Sequence, residues 1–158
     1  MKMKHLSLLF LSMTMLATST MAQKTYDSEV TLLEQAEKTT LFSVQVEVDK
    51  KIDVEKNACE ALLTTLLLKG VDGFNNGRPL SNKEAKYWRN ENSLFKSNDN
   101  YMIYVTCQLE KEPVVTTSGK IKGVVYVMLN HENFFRYLER YGVRAKWGTG
   151  DFVPTTKS

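Results

Sequence analysis

Histidine and cysteine are scarce in this chain, and their scarcity excludes several kinds of active site. The 158 residues contain two histidines and two cysteines. His5 lies within the first 22 residues, so His131 is the single histidine of residues 23–158. Cys59 and Cys107 are far apart in sequence, and the Cys-x-x-Cys pair of redox enzymes and zinc sites is missing.

Catalytic and phosphate-binding motifs are missing as well. The chain has no Gly-x-Ser-x-Gly nucleophile elbow, glycine-rich phosphate loop, His-Glu-x-x-His pair or calcium loop. Its composition, 42% hydrophobic and 25% charged, is that of a globular protein rather than a disordered chain or a disulfide scaffold. The sequence therefore predicts no cofactor and no metal site, and it does not predict an enzyme.

Residues 1–22 have the pattern of a cleaved signal peptide. Two lysines precede an apolar stretch at residues 6–17, which is shorter than the ~20 residues needed to span a bilayer. Thr20 and Ala22 then supply small residues at the two positions that signal peptidase reads. We expect export to the periplasm or outside the cell, with Gln23 as the new N-terminus. The stretch contains no cysteine, so no lipid anchor is expected.

Removal of this leader changes the charge of the protein. The full chain has a formal net charge of +3, but residues 23–158 contain 19 basic and 18 acidic residues. A balance this close to neutral does not favour a nucleic-acid partner. We expect one domain over residues 23–148 and a flexible C-terminal tail at 149–158.

Hydrophobic periodicity predicts the order of helices and strands. Caps support two of the helices, with Asp53 and Asn130 before their first turns and Gly70 after the end of the longer one. The predicted elements are a helix at 25–39, a strand at 42–48, a helix at 53–69, strands at 101–110 and 121–129, a helix at 131–141 and a short strand at 143–147.

This order predicts an α+β domain with an antiparallel sheet of three or four strands and helices packed on one face. Apart from the N-terminal helix and a long loop insertion at 70–100, it is the ferredoxin-like βαββαβ order. The alternative is a β-α-α-β-β core in which the loop contributes a helix and residues 131–147 are peripheral. In element order alone, this alternative resembles the polypeptide-transport-associated modules of outer-membrane assembly proteins.

The 70–100 loop combines aromatic rings with amides and guanidinium groups, which are the side chains of peptide or carbohydrate recognition. We expect a protein or carbohydrate partner of the cell envelope to bind there. The candidate binding residues are Asn75, Asn76, Arg78, Tyr87, Trp88 and Arg89. The alternative is that Tyr87 and Trp88 only anchor a long loop onto the sheet.

A second candidate surface is the basic edge of the last helix. Arg136, Arg140 and Arg144 recur at every fourth residue and would suit an anionic ligand. The alternative is an ordinary solvated face on which Glu132 and Glu139 neutralise part of the charge.

Cys59 and Cys107 both fall on predicted core faces. Export would place them where disulfides form and persist. The sequence leaves two alternatives open, a disulfide between the two cysteines and a pair of buried thiols that act as small apolar side chains.

Together these patterns predict a small secreted or periplasmic binding or interaction protein. One alternative is a hydrolase-type enzyme that uses His131 with a carboxylate from Asp72, Glu91 or Asp99. Another is a structural subunit of a cell-envelope assembly that recruits a second chain along a free sheet edge.

Overall fold

Two ten-residue strands with alternating apolar and polar side chains form the centre of the sheet. They are β2 (Thr39–Val48) and β5 (Ile121–Asn130), which pair antiparallel along their whole length. Alternate side chains point to opposite faces of a strand, and one face of this pair is buried as predicted. Its buried residues are Thr40, Phe42, Val44, Val46, Val48, Gly123, Val125, Val127 and Leu129.

The structure is a computed structural model, and it describes residues 28–91, 93–95 and 100–142. The side chains of residues 90 and 91 are not among those described. The predicted signal peptide, the predicted strand at 143–147 and the C-terminal tail lie outside these residues.

Three further strands and two helices complete the described fold. They are β1 (Ser28–Gln35), α1 (Val54–Leu68), β3 (Val105–Leu109), β4 (Val114–Val115) and α2 (His131–Arg140). The strands lie in the order β1-β2-β5-β3, all antiparallel, and β4 pairs with the first two residues of β5. The protein is therefore an α+β domain with a five-stranded antiparallel sheet, more strands than the sequence indicated.

The N-terminal helix predicted over residues 25–39 is wrong, because residues 28–35 form β1 at the edge of the sheet. The pairing register shifts at Leu33, where two residues of β1 face one residue of β2. A bulge of this kind interrupts the alternation of a strand. It leaves Leu32, Leu33 and Ala36 at a spacing that imitates a helix face. Residues 28–35 nevertheless form a strand because they pair with β2.

The ferredoxin-like order is not found among the described residues. In a βαββαβ arrangement the third strand lies between the first and the second. Here β5 lies between β2 and β3 in the same way. The outer position beside β2, which that arrangement gives to its fourth strand, is occupied by β1.

Helix α1 begins and ends where its caps predict. The Asp53 carboxylate accepts the backbone N–H of Lys56 at 3.0 Å, and Gly70 follows the last turn with a positive φ of 88°. The apolar stripe of the helix packs across β2, β5 and β3. Its members are completely buried: Cys59, Leu62, Leu63, Leu66 and Leu67.

Gly123 determines how closely α1 approaches the sheet. A Cβ atom at this position would lie 2.8 Å from Val54 Cγ1, closer than two carbon atoms can pack. The first turn of α1 therefore rests on the bare backbone of β5, and a glycine at this position permits that approach.

Helix α2 follows β5 directly and packs on the same face of the sheet as α1. Asn130 caps it, with Oδ1 accepting the N–H of Asn133 at 3.0 Å. Phe135 stacks on Phe74, which contacts Phe42 of β2 edge-on. The alternative order, in which residues 131–147 are peripheral, is thus wrong for α2, whose Phe134 and Leu138 are also buried.

Strand β3 begins later than the sequence indicates. Residues Asn100–Ile103 form a 3₁₀ turn, and the strand starts at Val105. Because a 3₁₀ turn repeats every three residues, the predicted alternation fails before the strand. Tyr101 is 1% exposed, whereas Ile103, which would share the inward face of Cys107 if residues 101–110 alternated as predicted, is 75% exposed.

Candidate functional site

The long connection between α1 and β3 is anchored by buried side chains, although it has little regular structure. It contains short helical turns at Asn75–Gly77, Tyr87–Glu91 and Asn100–Ile103. Burial of large side chains offsets the conformational entropy lost when such a connection is ordered. Its buried side chains are Val71, Phe74, Leu80, Trp88, Leu94 and Tyr101.

The connection turns back onto the end of α1 immediately after the helix. A Cβ atom at Gly70 would overlap the carbonyl oxygen of Gly77 and lie 2.8 Å from the carbonyl carbon of Arg78, so the returning backbone lies against this glycine. The backbone N–H groups of Leu80 and Ser81 then donate to carbonyls of the last turn of α1 at 2.8 and 3.2 Å. The connection is thereby held at the C-terminal end of the helix.

Trp88, predicted as a binding residue, belongs to the core. Its side chain is 2% exposed, and its Nε1 donates to Ser81 Oγ at 3.1 Å. Tyr87 is half-buried and packs edge-on against it, with ring centroids 5.1 Å apart. Lys83 Nζ lies 5.8 Å from the centroid of the Tyr87 ring. The buried indole has no face for a ligand, and Trp88 acts as an anchor of the connection.

The polar members of the predicted site lie nearer the surface. Asn76, Arg78 and Arg89 are exposed, and Asn75 is half-buried. Asn75 and Asn76 have φ angles of 51° and 56°, a left-handed conformation that asparagine adopts more readily than most other non-glycine residues. The Asn75 amide donates to the carbonyl of Arg78 at 3.0 Å. These hydrogen-bonded residues form one turn, and Arg89 belongs to the following helical turn.

Positive charge is concentrated in residues 69–89, here called the basic segment. Its charged side chains are all exposed, five basic and two acidic: Lys69, Arg78, Lys83, Lys86, Arg89, Asp72 and Glu84. The other described side chains include nine basic and twelve acidic residues. A helix dipole favours cations only near its last turn, which accounts for Lys69 but not for the cations further along. The nearly neutral chain therefore has an exposed segment with a formal net charge of +3, which a charge count over short windows could have detected.

An acid is interleaved with the basic residues on the edge of α2. Arg136 forms an ion pair with Glu132 one turn before it, and Lys38 Nζ lies 3.8 Å from the same carboxylate. Arg140 is exposed, and Arg144 lies outside the described residues. The neighbouring acid supports the interpretation of this edge as a solvated face.

His131 lies in the core with both ring nitrogens hydrogen-bonded. Nε2 is 2.9 Å from the carbonyl oxygen of Glu37, and Nδ1 is 2.8 Å from Thr40 Oγ1. A carbonyl only accepts, so Nε2 carries the proton and the Thr40 hydroxyl donates to Nδ1. Burial lowers the pKa of the imidazole, and the Glu37 carbonyl and the Glu132 carboxylate only partly oppose this. The ring is therefore neutral and ties α2 to the β1–β2 turn.

This geometry does not supply the base that a hydrolase would need. The side chain of His131 is 3% exposed, and neither ring nitrogen faces a cleft. Asp72 is exposed on the basic segment, and the side chains of Glu91 and Asp99 lie outside the described residues.

Cys59 and Cys107 meet where α1 crosses β3. Their sulfur atoms are 2.7 Å apart, and Cys59 is fully buried while Cys107 is partly buried. The thiol of Cys59 donates to the sulfur of Cys107. This hydrogen bond raises the pKa of Cys59 and lowers the pKa of Cys107.

Metal binding and family membership give no further indication of function. Within the described ranges, no three His, Cys, Asp or Glu side chains converge as ligands for a metal ion, and no helix has the length and apolarity to cross a membrane. Comparison of the chain with models of protein families, curated proteins and solved structures found no match.

Replacing Trp88 and its neighbour Tyr87 in turn tests whether the buried Trp88 ring stabilises the fold more than the half-buried Tyr87 ring does. We expect Trp88→Ala to lower the free energy of unfolding by about 3–5 kcal/mol, the usual cost of truncating a buried aromatic side chain. Tyr87→Ala removes a half-buried ring and should cost clearly less. Urea denaturation monitored by circular dichroism measures both, and equal losses for the two variants would contradict the assignment of Trp88 to the core.

His131 should make stability depend on pH in a defined window. Its folded-state pKa lies below the ordinary value of 6.5, so the unfolded chain binds the proton more tightly. The stabilisation is fully present above pH 6.5 and is lost as the pH falls from 6.5 through the lowered folded-state pKa. We expect wild-type stability to fall more steeply than that of His131→Gln between pH 7.5 and 5.5, in urea titrations. The variant should also lose about 1–3 kcal/mol at pH 7.5 because a buried hydrogen-bond partner is left unsatisfied. If the free energy of unfolding changed equally with pH in the wild type and in His131→Gln, the buried neutral imidazole would be contradicted.

Proposed function

We propose that the protein is an exported binding protein that recognises an acidic surface of another protein of the cell envelope through the basic segment. The observation that carries this proposal is the combination of buried anchors and exposed cations in one stretch of chain. Phe74, Leu80 and Trp88 are buried in the core, while Arg78 and Arg89 are exposed.

Preorganisation is the reason that this combination favours binding. A segment that is already ordered loses little conformational entropy when a partner docks on it. The anchors order the backbone of the basic segment, and the amide of Asn75 fixes the turn that presents Arg78. Guanidinium groups held in this way suit bidentate hydrogen bonds to carboxylates.

The charge of the segment favours an acidic protein over a neutral carbohydrate. Sugar rings bind mainly by stacking on exposed aromatic faces and by hydrogen bonds, and Trp88 offers no exposed face. Tyr87 is half-buried and lies under Lys83. Five exposed basic residues against two acidic ones instead match a negatively charged surface.

Export rests on the leader-like pattern of residues 1–22. A signal peptide would deliver the mature chain to the periplasm or the extracellular space, where an envelope partner is encountered. The absence of cysteine from these residues supports a form without a lipid anchor.

The two other functions considered from the sequence have less support. A hydrolase would require a histidine nitrogen that faces substrate, and both nitrogens of His131 bond inside the core. A structural subunit would recruit a second chain along a free sheet edge, and the outer edge of β2, where a short or missing fourth strand would leave such an edge, is paired with β1.

Export can be tested by expressing the full-length chain in a bacterial host and fractionating the cells. We expect the protein outside the cytoplasm with Gln23 as its N-terminal residue, determined by intact mass and N-terminal sequencing. Leu9→Arg places a charge in the apolar stretch and should leave an uncleaved chain in the cytoplasm. Leu33→Arg, the same change at an exposed position of β1, is the control and should not affect export. Wild-type protein that keeps Met1 and stays in the cytoplasm would contradict the proposal.

The binding surface can be tested by reversing its charge. We expect Arg78→Glu/Arg89→Glu to reduce retention of the partner at least about tenfold, since each lost charged contact at an interface costs on the order of 1–2 kcal/mol. The measurement is a pull-down from an envelope extract with the immobilised mature protein, quantified by mass spectrometry. Retention by the wild type should also fall as salt is raised.

Lys111→Glu/Lys120→Glu is the matched control for this charge reversal. It changes the net charge by the same amount at two exposed lysines outside the basic segment. A protein that is lost from the first variant and kept by the control identifies the partner. Equal retention of every protein by the wild type and both variants would refute the proposed site. Retention of an anionic polysaccharide by the wild type, in place of a protein, would refute the acidic protein as the ligand.

A further inference from the structure

The contact between α1 and β3 brings the two cysteines together through the regular geometry of both elements. Glu55 and Cys59 are four residues apart on one face of the helix, and Cys107 and Leu109 are two residues apart on one face of the strand. Glu55 Oε1 accepts the backbone N–H of Leu109 at 3.2 Å, and the sulfurs of Cys59 and Cys107 lie 2.7 Å apart.

A third contact fixes the same crossing on the other side of the cysteines. The Tyr101 hydroxyl, just before β3, donates to Glu60 Oε1 at 3.2 Å. The cysteine pair is therefore held between two helix-to-strand hydrogen bonds, and little backbone movement is needed to bring the sulfurs within the ~2.05 Å of a disulfide bond.

We propose that Cys59 and Cys107 form a disulfide that fastens α1 to β3. The reaction is an exchange with an external disulfide, such as that of a thiol:disulfide oxidoreductase or of oxidised glutathione. The Cys107 thiolate attacks one sulfur of that disulfide, which gives a mixed disulfide on Cys107 and releases one thiolate. Cys59 then loses its proton to the released thiolate and attacks Cys107 Sγ. The second thiolate leaves and takes up a proton from water, which replaces the proton that Cys107 lost when it ionised, so two cysteine thiols are oxidised and one external disulfide is reduced to two thiols.

The order of attack follows from accessibility. Cys59 is 0% exposed, whereas Cys107 is partly exposed on β3. An external disulfide can therefore reach Cys107 first, and Cys59 is placed to resolve the adduct. The bond would close a loop of chain that contains the whole basic segment, although its formation does not depend on what that segment binds.

The first experiment examines the purified protein as it is. We expect exposure to oxidised glutathione at pH 8 to leave no alkylatable thiol after denaturation, and peptide mapping without reductant to find one linked peptide pair containing Cys59 and Cys107. Reduction should lower Tm by roughly 10 °C, because opening a loop of this length restores freedom to the unfolded chain. Two free thiols that persist in folded protein under these conditions would overturn the proposal.

Single-cysteine variants test the proposed order of attack. Cys59→Ser should accumulate a glutathione adduct on Cys107 that cannot be resolved, whereas Cys107→Ser should remain unmodified while folded. An adduct that forms equally fast on both variants would refute the order. The double variant Cys59→Ala/Cys107→Val is the control for stability, and its Tm should not respond to reductant. Should the variants fail to fold, thiol titration and the reductant-dependent Tm of the wild type still decide whether the disulfide forms.

Discussion

Packing of α1 on one face of the sheet is the interaction on which the rest of the structure depends. The helix covers the inner residues of β2, β5 and β3, and Gly123 removes the one side chain that would hold its first turn away. Both halves of α1 also contact features outside the sheet core. Cys59, in the first half of the helix, meets Cys107 of β3, and the connection that carries the basic segment folds back on the last turn of the helix. A change in the seating of this single helix would therefore disturb several features that are distant in sequence.

Much of this arrangement could be predicted from periodicity, because a buried face imposes a regular spacing on the chain. Strands β2 and β5 alternate without interruption, and α1 and α2 have apolar stripes with caps at Asp53 and Asn130. Strand β1 was missed because the bulge at Leu33 destroys its alternation and mimics a helical spacing. Its structure depends on a hydrogen-bonded neighbour, which no local pattern records. The 3₁₀ turn before β3 was missed for a similar reason.

The candidate site was only partly predictable for a different reason. Side chains of an irregular segment have no period, so its composition indicates that some aromatic residues anchor it but not which ones. Trp88 turned out to be an anchor, while Arg78 and Arg89 lie at the surface as expected. The role of His131 depends on Thr40 and Glu37, partners more than ninety residues away along the chain. Such contacts follow from the topology of the sheet and not from the neighbourhood of the histidine in sequence.

The bulge in β1 also has a consequence for solubility. Among the described residues, β1 is an eight-residue strand at the edge of the sheet, and edge strands can in general pair with other copies of a chain. The bulge at Leu33 adds local twist, and the exposed carboxylates of Glu29 and Glu34 lie on either side of it. A second flat strand that paired with β1 would have to match this twist and would place its own side chains beside these two carboxylates. The irregularity that concealed β1 in the sequence thus protects the sheet against edge-to-edge aggregation.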